Sequence, residues 1–121
     1  MTSLQLAKLR QEVRALKTRR NVLEHVAMQN NQLMAAYLLE RRLRPKAPVA
    51  HYLSVPTPEG SRHLYVRKTD VEIVRRQTDA WRQFGQAMAE WVRINKKIEG
   101  VLRQLGSGRC RKIELKAKKA R

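Results

Sequence analysis

The stretch Lys68-Thr69-Asp70-Val71-Glu72 marks the clearest structural boundary in the chain. Thr69 suits the N-cap of a helix, and Glu72, three residues later, completes a capping box in which the two residues satisfy each other's backbone N–H groups. Apolar residues then recur at helical spacing up to Gly106, a residue type that often follows the last turn of a helix. The pattern predicts a long helix over residues 70–105.

The segment before this boundary predicts a second long helix. From Leu4 to Arg44 there is neither glycine nor proline, and apolar residues recur every three or four positions, as in a heptad seam. Pro45 and Pro48 end this pattern, because proline cannot continue a helix. We therefore predict a helix over residues 4–44, about 60 Å long at the helical rise of 1.5 Å per residue.

Between the two predicted helices the pattern favours strands. Residues 50–55 and 62–67 are short runs rich in Tyr, Val and Leu, and Pro56–Ser61 between them has the composition of a turn. This predicts a β-hairpin over residues 50–67. Because an isolated hairpin is marginally stable in water, we expect it to pack on the helices or on a second copy.

These elements together predict a mainly α fold: two long antiparallel helices, as a helical hairpin or coiled coil, with a small β-hairpin at the tip. Residues 1–105 are expected to form a single helical domain, and residues 106–121 a flexible basic tail. Two helices cannot fully cover Trp81 and Trp91, so we expect a homodimer or a dedicated protein partner.

Polar residues and glycines interrupt the apolar seams of both predicted helices. Asn30 and Asn95 fall near seam positions, where we expect them to hydrogen-bond between helices and fix their register. Gly85 and Gly100 each cost about 1 kcal/mol relative to alanine inside a helix. Close backbone packing or a bend would explain them.

Charge gives the strongest indication of function. The 121 residues include 27 Lys and Arg but only 10 acidic residues, a formal net charge of +17. Soluble small domains typically carry roughly 2 to 8 net charges. A polyanion is the usual partner of such an excess, and a merely solvated surface is the alternative. The last 16 residues, with seven basic side chains and one acidic, are the densest basic segment.

The candidate nucleic-acid-binding residues are basic side chains from one face of the first helix, the flanks of the hairpin, and the tail. They are Arg10, Arg14, Lys17, Arg62, Arg67, Lys68, Arg109, Arg111, Lys112, Lys116, Lys118, Lys119 and Arg121. Such residues contact phosphates, which supplies affinity without reading sequence. If the hairpin entered a groove, Arg62, His63 and Arg67 would be the candidates for contacts with base edges.

No motif indicates catalysis. The three histidines, His25, His51 and His63, are too scattered to form a zinc site with the one cysteine, Cys110. The sequence has no Gly-rich phosphate loop, nucleophile motif or paired-carboxylate site. We predict a protein that is not an enzyme and has no metal, cofactor or small-molecule substrate. The single cysteine and the lack of long apolar runs predict a cytoplasmic protein that does not bind a membrane.

Part of the chain resembles a known family of small basic bacterial proteins whose function is uncharacterised. The resemblance rests on His51-Tyr52-Leu53-Ser54-Val55, Gly60, Leu64-Tyr65-Val66, Val71 and Val74-Arg75-Arg76, followed by a long helix. It covers roughly residues 50–105. Members of that family are often encoded near transposases and other mobile-element genes, so the resemblance implies a DNA-related accessory role and favours DNA over RNA. It implies no catalytic residues.

The sequence therefore predicts a non-enzymatic nucleic-acid-binding accessory protein associated with mobile elements. Two alternatives remain open. One is a helical adaptor that binds a transposase, a recombinase or another protein, and the other is a component of an RNA particle.

Overall fold

The described residues form two α-helices and three strands. In this computed structural model, residues 1–111 and 113 are described. In chain order the elements are α1 (Ser3–Ala27), β1 (Tyr37–Arg41), β2 (Ala50–Thr57), β3 (Gly60–Val66), a 3₁₀ turn (Lys68–Asp70) and α2 (Val71–Arg109). The chain thus enters α2 through the 3₁₀ turn rather than from an N-cap at Thr69.

The predicted fold class is wrong in the first half of the chain. The helix predicted over residues 4–44 ends at Ala27, and residues 37–41 form a strand, so the fold is not two long helices with a small β-hairpin at the tip. Asn30 and Asn31 follow the end of α1. Asparagine competes with helical hydrogen bonds through its own side chain, so this pair ends the helix without glycine or proline. Asn30 therefore lies outside any helix and does not fix a helical register.

The segment between α1 and β1 bonds to α2. The Met34 N–H donates to the Gln77 carbonyl over 3.0 Å. The Gln77 side-chain amide donates to Gln32 Oε1 over 2.9 Å. These bonds give an extended segment polar partners that a helix would have supplied internally.

Contacts divide the chain into two compact units. Unit 1 comprises Met1–Val22 and Trp91–Arg121, and unit 2 comprises Leu23–Glu90. Each helix contributes residues to both units.

In unit 1, the first part of α1 lies against the last part of α2 with opposite chain direction. Met1 packs on Gly108 near one end, and Arg20 Nη1 donates to Asn95 Oδ1 over 3.2 Å farther along. The expected hydrogen bond of Asn95 between helices is therefore confirmed. The buried apolar side chains of this seam are Val13, Ile94, Ile98 and Val101.

The second helix continues past its predicted end. Gly106 was predicted to end the helix, and Gly108 was predicted to lie in the flexible tail. Both glycines lie within α2, which ends at Arg109. Packing of Met1 and Leu6 against Gly108 accounts for this extension, because tertiary contacts override the low helix propensity of glycine. The first residues of the predicted tail are thus helical. Residues 112 and 114–121 lie outside the described residues.

Unit 2 contains an antiparallel sheet with strand order β1-β2-β3. β2 and β3 occupy the positions of the predicted hairpin, and β1 is an additional strand that the sequence did not predict. Between β2 and β3, His51 lies opposite Val66 and Thr57 lies opposite Gly60. Gly60 has φ of 125°, a backbone conformation that glycine adopts without strain, and this closes the turn.

The core of unit 2 contains mostly small side chains. Thr78 is the most buried of them, 2% exposed, and its hydroxyl donates to the Val74 carbonyl over 3.0 Å. The other buried residues are Leu23, Ala36, Val66, Val74 and Ala87. Along β3 only Val66 is buried, so the sheet is lightly covered. Neither described helix has a run of residues long and apolar enough to cross a bilayer.

The hydrogen bond of Asn95 to Arg20 predicts a measurable stabilisation. Asn95→Ala should lower the free energy of unfolding by about 1.5–3 kcal/mol, because the part-buried Arg20 guanidinium loses one hydrogen-bond acceptor. Urea denaturation followed by circular dichroism measures this difference. The control is Lys96→Ala, an exposed neighbour on the same helix, which should change stability by less than about 0.5 kcal/mol. Equal effects of the two substitutions would contradict the assignment.

Neither close packing nor strain explains Gly100, since a Cβ there meets no heavy atom within 4 Å. Gly100→Ala should therefore stabilise the protein by about 0.5–1 kcal/mol through the higher helix propensity of alanine. Thermal unfolding should show a melting temperature higher by about 2–6 °C. Gly108→Ala is the contrasting variant, because its Cβ would lie 2.5 Å from Met1 Sδ, and its gain should be smaller. A lower melting temperature for Gly100→Ala would refute this account.

Candidate nucleic-acid interface

Basic side chains are concentrated in unit 1. The sequence of unit 1 has 17 Lys and Arg and 3 acidic residues, whereas unit 2 has 10 and 7. Unit 1 therefore accounts for +14 of the formal charge of +17, and unit 2 for only +3. The described residues of unit 1 alone have 12 Lys and Arg and 2 acidic residues, and such an excess of positive charge attracts anions.

The predicted basic stripe on the first helix is present on α1. Arg10, Arg14 and Lys17 are all exposed. Their spacing of four and three residues places them on one side of the helix, next to the buried Val13. Within the described part of the chain no carboxylate forms an ion pair with these three side chains. Their charges are thus available to a ligand. We call these three residues the α1 stripe.

A second basic group in unit 1 was missed by the sequence analysis. Arg93, Lys96 and Lys97 are exposed on α2 and share one side of it at spacings of three and four residues. Arg103 is also exposed, and its Nε lies 3.5 Å from Glu99 Oε2. The same spacing identified the α1 stripe. On α2 it was hidden because nearby acidic residues reduced the net charge of the segment.

The predicted basic residues around the hairpin are exposed but do not form one surface. Arg62 lies on β3 opposite Val55, and the adjacent residue His63 lies opposite Ser54. Successive side chains of a strand point to opposite faces, so Arg62 and His63 are on different sides of the sheet. Arg67 and Lys68 follow the strand and are also exposed. The hypothesis that Arg62, His63 and Arg67 read base edges together is therefore not supported.

The structure places only part of the predicted tail. Arg109 is exposed in the last turn of α2, and Arg111 is exposed just beyond it. The remaining predicted residues lie outside the described residues. They are Lys112, Lys116, Lys118, Lys119 and Arg121.

A cluster of rings around the Arg41 guanidinium on one face of the sheet was also missed. The Arg41 guanidinium carbon lies 5.5 Å from the centre of the Tyr52 ring. Arg41 Nη2 lies 2.8 Å from His63 Nδ1. The Tyr52 and Tyr65 rings meet edge to face with their centres 5.7 Å apart. We call these four residues the sheet cluster. The sequence pattern predicts a helix at Arg41, so it gives no indication that Arg41 lies beside Tyr52 and His63 in a sheet.

The opposite face of the sheet carries an ionic contact with α2. Glu40 Oε1 lies 3.6 Å from His51 Nε2 on the neighbouring strand and 3.8 Å from Arg75 Nη2 on α2. This arrangement holds that face towards α2. It leaves the sheet cluster on the other, outward face.

The described residues include exposed basic side chains on both helices and exposed rings on the sheet. No group of three His, Cys, Asp or Glu among them lies close enough to hold a metal ion. Comparisons with protein-family models, with curated proteins and with solved structures found no match.

Proposed function

We propose that this protein is a non-enzymatic DNA-binding accessory protein that binds the phosphate backbone through the basic surface of unit 1. The observation that carries the proposal is the excess of 17 basic over 3 acidic residues in that unit. Lysine and arginine that neutralise phosphates release condensed counterions, which supplies affinity independent of sequence. No base-reading motif is required for this mode of binding.

The geometry of α1 suits such contacts. From Arg10 to Lys17 the helix rises about 10 Å, and duplex DNA carries one charge per about 1.7 Å of its axis. The three exposed side chains of the α1 stripe therefore face several phosphates at once. The α2 group of Arg93, Lys96 and Lys97 adds a comparable charge density in the same unit.

The proposal includes the context that the family resemblance implies. Members of the family that residues 50–105 resemble are often encoded near transposases. This favours DNA over RNA as the ligand and an accessory role in mobile-element function. A cytoplasmic location is proposed with it, because Cys110 is a free, exposed thiol. The tail residues Lys116, Lys118 and Lys119 are proposed as an additional electrostatic arm.

A helical adaptor for another protein is the second candidate, favoured by the apolar exposure of unit 2. Trp81 is 38% exposed, Tyr37 55% and Met28 81%. Trp81, Tyr37 and Gly85 also line an open cleft. A second copy or a dedicated partner would cover such a surface. An adaptor should aggregate alone and bind its partner with little dependence on salt.

Duplex binding across a salt series tests the DNA proposal. With a labelled short duplex and fluorescence anisotropy, Arg10→Ala/Arg14→Ala/Lys17→Ala should reduce the slope of log affinity against log salt. The expected loss is about 0.9 for each phosphate contact removed, or about 2–3 in total. The Lys116→Ala/Lys118→Ala/Lys119→Ala variant should show a reduction of the same kind.

The matched control is Arg42→Ala/Arg44→Ala/Lys46→Ala, which removes three charges from unit 2. Its slope should stay within about 0.5 of the unmodified protein, whereas a general effect of net charge would lower all slopes equally. Circular dichroism verifies that each variant is folded. Failure of the folded, unmodified protein to bind duplex DNA in dilute buffer would refute the proposal.

A further inference from the structure

We propose that the outward face of the sheet binds the unpaired bases of single-stranded DNA, with Tyr65 as the stacking platform of the sheet cluster. This inference rests on the proposed function in taking DNA as the ligand, but it concerns a different surface and a different form of DNA. The α1 stripe contacts phosphates. The sheet cluster offers ring faces, which duplex DNA cannot use because its bases are already stacked and paired.

Strand register brings the cluster together. Tyr52 lies opposite Tyr65 on β3 and opposite Leu39 on β1. Arg41 is on the same face as Leu39, since the two are separated by one residue in β1. His63 is on the same face as Tyr65 for the same reason. The cluster is thus a property of three paired strands and not of any one segment.

The contacts within the cluster orient its groups before any ligand binds. Arg41 covers Tyr52 and also bonds to His63, so its guanidinium is held beside the rings. The Tyr52 and Tyr65 rings contact each other edge to face. Tyr65 itself is 64% exposed. Its ring is therefore supported on one side and open to solvent, which is the arrangement that a stacking base requires.

The charge of this face favours a phosphate-linked aromatic ligand over a protein surface. The strand carboxylate Glu40 lies on the opposite face, where it contacts Arg75, and Glu59 lies in the turn between β2 and β3. The outward face therefore combines rings with Arg41 and has no carboxylate from the strands. Bases stack on rings while their phosphates attract guanidinium groups, so single-stranded DNA meets both features.

The test compares single-stranded and duplex DNA with variants of the full-length chain. Labelled oligodeoxythymidine of about 12 nucleotides is the probe, measured by fluorescence anisotropy. Tyr65→Ala should weaken its binding roughly 5- to 100-fold, the loss expected for one stacked base. Tyr65→Phe should bind as the unmodified protein does, because it keeps the ring. Both variants should leave duplex affinity and its salt slope unchanged.

Leu64→Ala is the matched control. Leu64 is the neighbour of Tyr65 in β3, is 46% exposed and lies on the opposite face. Its substitution should leave oligodeoxythymidine binding unchanged. If Leu64→Ala weakens binding as much as Tyr65→Ala, general damage to the strand explains the loss and the inference is wrong. Arg41→Ala provides a second variant of the cluster, and it should also weaken binding to the single strand.

The outcomes separate this inference from the proposed function. Unchanged binding of oligodeoxythymidine to both Tyr65→Ala and Arg41→Ala overturns the inference, even if duplex binding depends on the α1 stripe as proposed. If the unmodified protein does not bind duplex DNA but binds oligodeoxythymidine with an affinity that Tyr65→Ala lowers, the proposed phosphate surface is refuted and the inference is supported. Tighter, Tyr65-dependent binding of oligouridine than of oligodeoxythymidine would assign the surface to RNA and overturn the assignment to DNA.

Discussion

The apolar seam between α1 and α2 in unit 1 is the constraint on which the charged surface depends. Val13 on α1 and Ile94, Ile98 and Val101 on α2 are buried there, and each such side chain contributes about 1.5–3 kcal/mol. Exposed like charges about 4 Å apart repel by about 1 kcal/mol in water, and salt screens them beyond about 10 Å. The seam therefore outweighs the repulsion. It can hold together two helical segments that both carry net positive charge while their basic side chains remain in solvent.

The sheet of unit 2 separates two kinds of chemistry by the alternation of its strands. Glu40 and His51 occupy the face that contacts α2 through Arg75. The rings of Tyr52 and Tyr65 occupy the other. In the functional proposals, phosphate contacts belong to helices and base contacts to strands. This division follows from side-chain length and rigidity, because long cations reach phosphates from a helix whereas stacking requires a ring held in place.

Sequence patterns located some elements well because their signals are local. Thr69 and Glu72 predict the start of α2 within one residue, although the chain enters the helix through a 3₁₀ turn and not from an N-cap at Thr69. The predicted first helix is too long because the absence of glycine and proline favours one continuous helix. The weak helix preference of the adjacent Asn30 and Asn31 ends α1 earlier. β1 is only five residues long, too short for a periodicity of two to be distinguished from a helical one. Its pairing with β2 is what defines it.

The α1 stripe and the sheet cluster also differ in whether their sequence signal is local. The α1 stripe follows from residue spacing within one helix, so it was predictable. The sheet cluster joins Arg41 to His63, which are 22 residues apart, and it exists only once three strands are in register. A single sequence contains no signal for that register when one of the strands has been assigned to a helix.

The strand order has a further consequence for how copies of the chain meet. With β2 in the centre, β1 and β3 each have one row of backbone N–H and C=O groups that pairs with no strand in the described part of the chain. Such rims invite another chain to extend the sheet, and short strands bearing charge discourage it. β1 has five residues and ends in Arg41, and Arg62 lies on β3. The charges of Arg41 and Arg62 therefore disfavour pairing of these strand edges with another copy of the chain.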